Sequence, residues 1–438
     1  MYFHPFIEDR LKTVWAILLL CVPFCLRVTG QTVEQTADRG LQTADTATRG
    51  RLQSTDSIAI LDSVMTPAVR LPSAVRGLLW PEYPAFQDPP SVDSIIAGSL
   101  NVRLKSTSFY KNNEFKNNFI YGQTLVGLYF EPVLEYHPDR KTTIRAGVHL
   151  LKYYGRDSFD RKLPVISIRY DATEHFSLIF GTLYGTTNHG LIEPVQNFED
   201  YLINNNENGI QLLWNYPNFR SDMWLNWEQF IKVADPFPEM FQAAMNSEFR
   251  LLDWKGLSLT APFSMVFHHV GGEIDTYWGP GGTKLNLVHG LRLSQSFQKG
   301  FVKSIYGAQN FLEFIEVNPD DRITIPYGRG SYSRVGLDTR IGSFEAGYWK
   351  ALNFSAPNGM PIFLSVSLKN PTYYQATREM LVLKYQFQRN LTDFLRIAFR
   401  FEPYYHFDTG RMDHSWSIYM VLDEGFFLAN LKRKGGGG

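Results

Sequence analysis

From about Ile95 to Leu428 the chain repeats one pattern: a stretch of roughly ten residues that alternates apolar with polar, a turn, then another stretch. In the run Leu395 to Glu402, one face carries Leu395, Ile397, Phe399 and Phe401, and the other carries Arg396, Ala398, Arg400 and Glu402. A single strand of this kind decides nothing, because a soluble strand also buries one face and wets the other. Many in succession, with almost no helical stretch to cover them, describe a sheet closed on itself with lipid outside and water inside.

The alternation and the turn signals give strands near 95–107, 120–136, 141–154, 163–171, 174–186, 207–214, 219–232 and 239–253. Eight more follow near 256–269, 283–297, 300–314, 329–340, 342–351, 378–388, 392–405 and 414–428. The expected fold is therefore all-β, a transmembrane antiparallel up-and-down barrel of about 16 strands, within a range of roughly 14–18. Every second connection is tight, as at His137-Pro138-Asp139-Arg140, Tyr216-Pro217-Asn218 and Ile341-Gly342, whereas those between are longer, up to 187–206 and 352–377. A soluble sandwich has no reason to alternate its turn lengths. Outer-membrane barrels do, with short periplasmic turns and long external loops, and that parity places both chain ends in the periplasm. Pro361 to Ser367 resists the count and is assigned to a long external loop that folds into the lumen.

The only long apolar run lies at the start, Val14 to Phe24, behind Arg10 and Lys12 and ahead of Val28-Thr29-Gly30. This reads as a signal peptide over 1–30 rather than an anchor helix. Leu20 and Phe24 are poor residues to precede a lipid-modified Cys21 or Cys25. Both cysteines fall inside that segment, so the mature chain has no disulfide, thiolate chemistry or cysteine-ligated metal to offer. Residues 31–93 are mostly polar and read as a flexible periplasmic leader, 94–431 as the barrel, and 432–438 as a solvated tail. Lys plus Arg (43) balances Asp plus Glu (43), which argues for no nucleic-acid partner. The 65 aromatic residues (33 Phe, 23 Tyr, 9 Trp) suit girdles at two membrane interfaces.

The outward faces include Leu100, Val102 and Leu104; Val126, Leu128 and Phe130; Met223, Leu225, Trp227 and Ile231; and Trp416, Ile418 and Met420. The opposite faces carry Arg103, Lys105, Glu131, Arg145, Arg169, Glu228, Arg334, Arg340, Lys384, Arg396, Arg400 and Glu402, read as pore-lining. A barrel of this size is too wide for wall side chains alone to fill, so an aqueous passage narrowed by loops is expected. Arg103, Lys105, Lys384, Arg396 and Arg400 either form a basic stripe that attracts anionic solutes or pair with Glu131, Glu345 and Glu402 and brace the wall.

Two groups could do chemistry. His268, His269, Glu273 and Asp275 cluster beside Trp278 at a long loop, but alternation turns His268 inward and His269 outward, poor geometry for one metal. They read as rim residues. The loop from Asn188 and His189 through Glu193 to Glu199, Asp200 and Tyr201 is acidic and aromatic, and reads as a constriction loop packed on the wall.

Phe180 to Gly185, Glu207 to Gln211, Trp224 to Phe230, Ala346 to Trp349, Ile418 to Met420 and Phe426 to Leu428 resemble uncharacterised Gram-negative outer-membrane barrels of porin type. The resemblance spans about 95–431, and more distantly the chain looks like alginate-export and capsule-assembly barrels. The resembled group carries over no substrate or functional residues; the charged, porin-sized lumen is what points to a channel for small hydrophilic solutes, anionic ones included. Export or assembly of surface polysaccharide is the alternative, and a lipid-modifying outer-membrane enzyme the remote one. No catalytic residue, metal or cofactor is expected, and the chain is read as not an enzyme. The partners expected are outer-membrane lipid, lipopolysaccharide and a small solute or saccharide. A homotrimer is compatible with a porin of this size, although alternation reads out no interface.

Overall fold

The computed structural model describes residues 96–203, 206–279, 281–317, 325–370 and 372–431. The expected signal peptide, leader and tail all lie outside the described residues.

Sixteen antiparallel strands close into one barrel. They are β1 (Ser99–Glu114), β2 (Thr124–His137), β3 (Thr142–Tyr153), β4 (Arg161–Thr173) and β5 (Phe176–Thr182). β6 (Asn208–Asn215), β7 (Phe219–Gln229), β8 (Met240–Trp254), β9 (Leu257–Val270), β10 (Gly282–Ser296) and β11 (Val302–Glu316) continue the wall. β12 (Tyr327–Thr339), β13 (Gly342–Leu352), β14 (Thr377–Asn390), β15 (Leu395–His406) and β16 (Arg411–Asn430) complete it. Each strand pairs with its neighbours in sequence. β16 returns to β1 from Ser99↔Asn430 to Glu114↔His414, so no backbone edge is left without a partner strand. A membrane-spanning sheet needs that closure, since lipid offers an edge no hydrogen bonds.

Long and short connections alternate from β1 to β15, and the last connection on the long-loop side, 407–410, is as short as 391–394 at the other end. One end of the barrel carries tight turns such as Lys255-Gly256 between β8 and β9, where Lys255 (φ 48°) and Gly256 (φ 84°) are both left-handed. The other end carries loops as long as 183–207 and 353–376. The expected strand count and turn parity match the structure. The largest difference in extent is that β1 runs seven residues beyond its expected end, to Glu114, where it pairs with His414 of β16.

Alternation is visible residue by residue. In β4, Val165, Ser167, Arg169 and Asp171 are buried while Ile166, Ile168 and Tyr170 are exposed on the outer face. Ile231 departs from the expected lipid-facing set: it lies past the end of β7 and is buried.

The bore is filled over part of its length. The 183–207 loop turns inward through a short 3₁₀ turn at Thr186–His189 and a single helical turn, α1 (Asp200–Ile203). The 353–376 loop follows with a 3₁₀ turn at Pro361–Phe363. Leu183, Leu191 and Val195 from the first loop and Phe354, Met360, Ile362, Phe363 and Leu364 from the second form one apolar cluster with inward residues of the wall. Those wall residues include Trp224, Val266, Leu312, Tyr332, Trp349, Met380 and Tyr404. Phe198, Tyr201 and Leu202 form a second cluster against Phe109, Tyr129, Leu151, Tyr419 and Val421. Pro361 to Ser367 thus packs inside the barrel, as its apolar composition and misfit to the strand count suggest.

Candidate functional site

Ion pairs pin the plug to the wall at several azimuths. Glu193, from the first loop, sits between Lys384 on β14 (2.7 Å) and Arg400 on β15 (3.5 Å). Lys384 also reaches Glu345 on β13 at 3.0 Å, and Arg400 pairs with Glu402. On the opposite flank of the closure, Glu199 lies 3.1 Å from Lys111 on β1 and accepts a hydrogen bond from Asn113. Buried charges persist only when paired, so these contacts fix where the loop sits.

His189 is the third pin. Its Nδ1 lies 2.7 Å from Asp222 on β7 and its Nε2 2.8 Å from Glu207, while the ring stacks on Trp224 at 3.5 Å. With a carboxylate on each nitrogen, the imidazole donates from both. Burial alone would lower its pKa, but the charges and hydrogen bonds of Glu207 and Asp222 outweigh it and raise the value to about 9. The same contacts hold Glu207 below the usual carboxylate range against its own burial. Such a histidine is a structural cation, because it has no lone pair to act as a base. Asp200 behaves oppositely: burial, with Glu207, Glu199 and Glu228 adding repulsion, pushes it up to about 8.

Of the residues read as pore-lining, Arg103, Lys105, Glu131, Arg145, Arg169, Glu228, Arg334, Lys384, Arg396, Arg400 and Glu402 all face the interior. Arg340 does not. It lies in the turn after β12 and is exposed. The cations are braced rather than arrayed as a stripe: Arg103 bridges Asp423 (2.7 Å) and Glu135 (4.0 Å), and Arg145 reaches Glu131 (3.5 Å) and Glu135 (3.3 Å). Arg169 pairs with Asp171 at 2.8 Å. Sequence reasoning missed Lys111 and Asp222 as partners of the plug, since nothing local marks which wall residue a loop will reach.

The two adjacent histidines separate as alternation requires. His268 points inward, 3.2 Å from Glu228, and His269 points outward. The outward row at this level runs Trp227↔Phe241↔His269↔Thr283 across β7, β8, β9 and β10. Trp227 stacks on Phe241 at 5.2 Å, and Phe241 lies 5.0 Å from the His269 ring. Aromatic rows of this kind mark the water interface of a membrane barrel. His269 and Asp275 are not hydrogen-bonded to each other: Asp275 accepts from the Tyr277 amide instead. Among the described residues, no group of three or more histidines and carboxylates is spaced to hold a metal.

A family model for the lipid A 3'-O-deacylase type matches residues 90–431, the whole barrel. The chain belongs to that family. The expectation that the protein is not an enzyme is thereby overturned, because the family is named for the hydrolysis of an acyl ester. No curated protein matches the chain. Among solved structures, OprD of Pseudomonas aeruginosa is similar at a TM-score of 0.47 and 10% identity, covering 76% of this chain and 96% of that one. A loop-deletion form of OmpT of Vibrio cholerae reaches 0.45 at 9% identity, with 74% and 99% covered. OccAB3 of Acinetobacter baumannii reaches 0.43 at 10%, with 75% and 99% covered. The deacylase-type family member is a closed antiparallel barrel of 16 strands. These matches do not bear on the distant likeness to alginate-export barrels.

Proposed function

We propose that this family member is an outer-membrane acyl-ester hydrolase acting on a lipid A-like glycolipid of the leaflet around it, with the filled barrel as its scaffold. One observation carries the reading beyond family membership. Both long loops occupy the bore and shield inward wall residues from β1 round to β16, leaving the outer wall and its rim as the surfaces where a lipid can meet protein. Membrane lipid reaches that surface by lateral diffusion, so the enzyme needs no open lumen. In this reading the long-loop end faces outward, and the short turns and both chain ends face the periplasm.

The test is the lipid A of cells that make the protein and of cells that lack it. Mass spectra should differ by one ester-linked acyl chain. Identical spectra, with the protein confirmed in the outer membrane, would refute the proposal.

A second reading, a gated channel for small hydrophilic solutes, is favoured by the way the plug is held. Glu193, Glu199 and His189 fasten the 183–207 loop through ion pairs, which can open without unfolding the wall. Steps of conductance in planar bilayers that grow when those pairs are removed would support it.

A further inference from the structure

His269 is the penultimate residue of β9 and Thr283 the second of β10, so a loop of 11 residues separates the two strands that pair them. Gly271 has φ 126°, a conformation that only glycine adopts readily, and its carbonyl oxygen lies 2.8 Å from His269 Nε2. A carbonyl can only accept, so Nε2 carries the proton. Nδ1 then presents a lone pair, and the Thr283 hydroxyl, 2.8 Å away, donates into it. An alcohol hydrogen-bonded to an unprotonated imidazole nitrogen, with the other nitrogen held by an acceptor, is the arrangement that activates a hydroxyl as nucleophile.

The surroundings suit an ester from the membrane. Both side chains are part-exposed and lie in the outward row with Phe241 and Trp227, at the depth where aromatic girdles meet lipid headgroups. Glycine pairs stand on both sides, Gly271-Gly272 after His269 and Gly281-Gly282 before Thr283, so no bulky side chain immediately follows His269's neighbour or precedes Thr283. The buried His189 offers no comparable chemistry, since both of its nitrogens donate to carboxylates.

We propose that Thr283 and His269 form an acyl-transfer centre for ester-linked acyl chains of a glycolipid, which deepens the hydrolase reading and rests on it. Thr283 Oγ1 attacks the ester carbonyl carbon as its proton passes to His269 Nδ1. The bond from that carbon to the sugar oxygen breaks, and the departing oxygen takes the proton from Nδ1, leaving acyl-threonine and a free sugar hydroxyl. A water molecule, giving its proton to the same nitrogen, then attacks the acyl-threonine. Free fatty acid leaves and the Thr283 hydroxyl is restored. The carbonyl of Gly271 keeps the ring in the tautomer both halves require.

The full chain, purified in detergent, is incubated with the 4-nitrophenyl ester of a medium-chain fatty acid and digested for peptide mass spectrometry. In parallel, lipid A is analysed from cells carrying wild type, Thr283→Val, Thr283→Ser and His269→Gln. The expected result is one acyl group on the Thr283 peptide of wild type, retained in Thr283→Ser and absent in Thr283→Val. His269→Gln should acylate at least about 100-fold more slowly. Thr283 acylation in a protein that leaves lipid A intact would uphold the centre and sink the lipid A reading. Lipid A shortened equally by wild type, Thr283→Val and His269→Gln would sink the centre and leave the reading standing. Absence of the adduct from wild type and Thr283→Ser alike, both folded by heat-modifiable gel mobility, overturns the centre.

Discussion

Lys384 Nζ and Glu193 Oε2 stand 2.7 Å apart, with each side chain only 1% exposed. One belongs to the barrel wall and the other to the loop that fills the bore, so the pair joins two parts of the chain 191 positions apart. Removing one member of a buried ion pair leaves the other charge desolvated and costs about 3–5 kcal/mol. Lys384 keeps Glu345 at 3.0 Å, so the lower end of that range is expected for Glu193→Ala. Lys384→Met should cost a similar amount, and the double variant less than the sum of the two. Chemical unfolding in detergent measures all three. An additive double variant would show that the two groups do not interact.

His189 makes stability depend on pH. Its folded pKa of about 9 lies above the ordinary histidine value of 6.5, so the stabilisation is complete below about 6.5 and fades as pH rises through 9. The shift corresponds to something on the order of 3 kcal/mol. The melting temperature should therefore fall between pH 7 and pH 10, and His189→Gln should flatten that part of the profile while lowering its neutral plateau. A wild-type curve that is level across this window would refute the assignment of His189 as a buried cation.

Strand number, turn parity and the inward course of Pro361 to Ser367 were legible because each is written with period two or in turn residues. The cation–carboxylate bracing of the wall was also foreseeable, since opposite charges on neighbouring inward faces have nowhere else to go. What the sequence did not disclose are contacts with no local signature. Glu193 could have met any inward cation; only the closed barrel brings Lys384 and Arg400 together around it. Thr283 and His269 are likewise paired by strand register across a loop, so no short motif announces them.

Asp200 gives a prediction of the same sign as His189 from a different cause. Burial and the nearby carboxylates of Glu207, Glu199 and Glu228 raise its folded pKa to about 8 from an ordinary 3.8. The folded state therefore prefers the neutral acid, and the preference is lost as pH climbs from about 4 through 8. Asp200→Asn keeps the shape and removes the charge. It should melt above wild type at pH 8–9, with the gap closing as pH falls toward 4. A variant that melts below wild type across the whole range would show that Asp200 is ionised and usefully paired.

Arg378, at the start of β14, ties three loops with one guanidinium. Nη1 donates to Asp408 in the β15–β16 loop at 2.9 Å, and Nη2 donates to the Ile362 carbonyl of the plug at 2.9 Å. The plane lies over the Phe119 ring of the β1–β2 loop, 3.7 Å from its centroid. A planar, delocalised cation can do all of this at once, whereas an ammonium on a flexible stem cannot. Arg378→Ala should cost about 2–3 kcal/mol, by leaving the buried Ile362 carbonyl without its donor and opening the packing under Phe119, while Asp408 keeps its hydrogen bond from Gln375. Arg378→Lys should recover less than half of that, because the ring contact and the second hydrogen bond need the fork. Limited proteolysis supplies the structural readout: cleavage in 353–376 should accelerate in both variants and more in Arg378→Ala. Equal protection of Arg378→Lys and wild type would mean that charge alone, not the planar geometry, holds the loops over the bore.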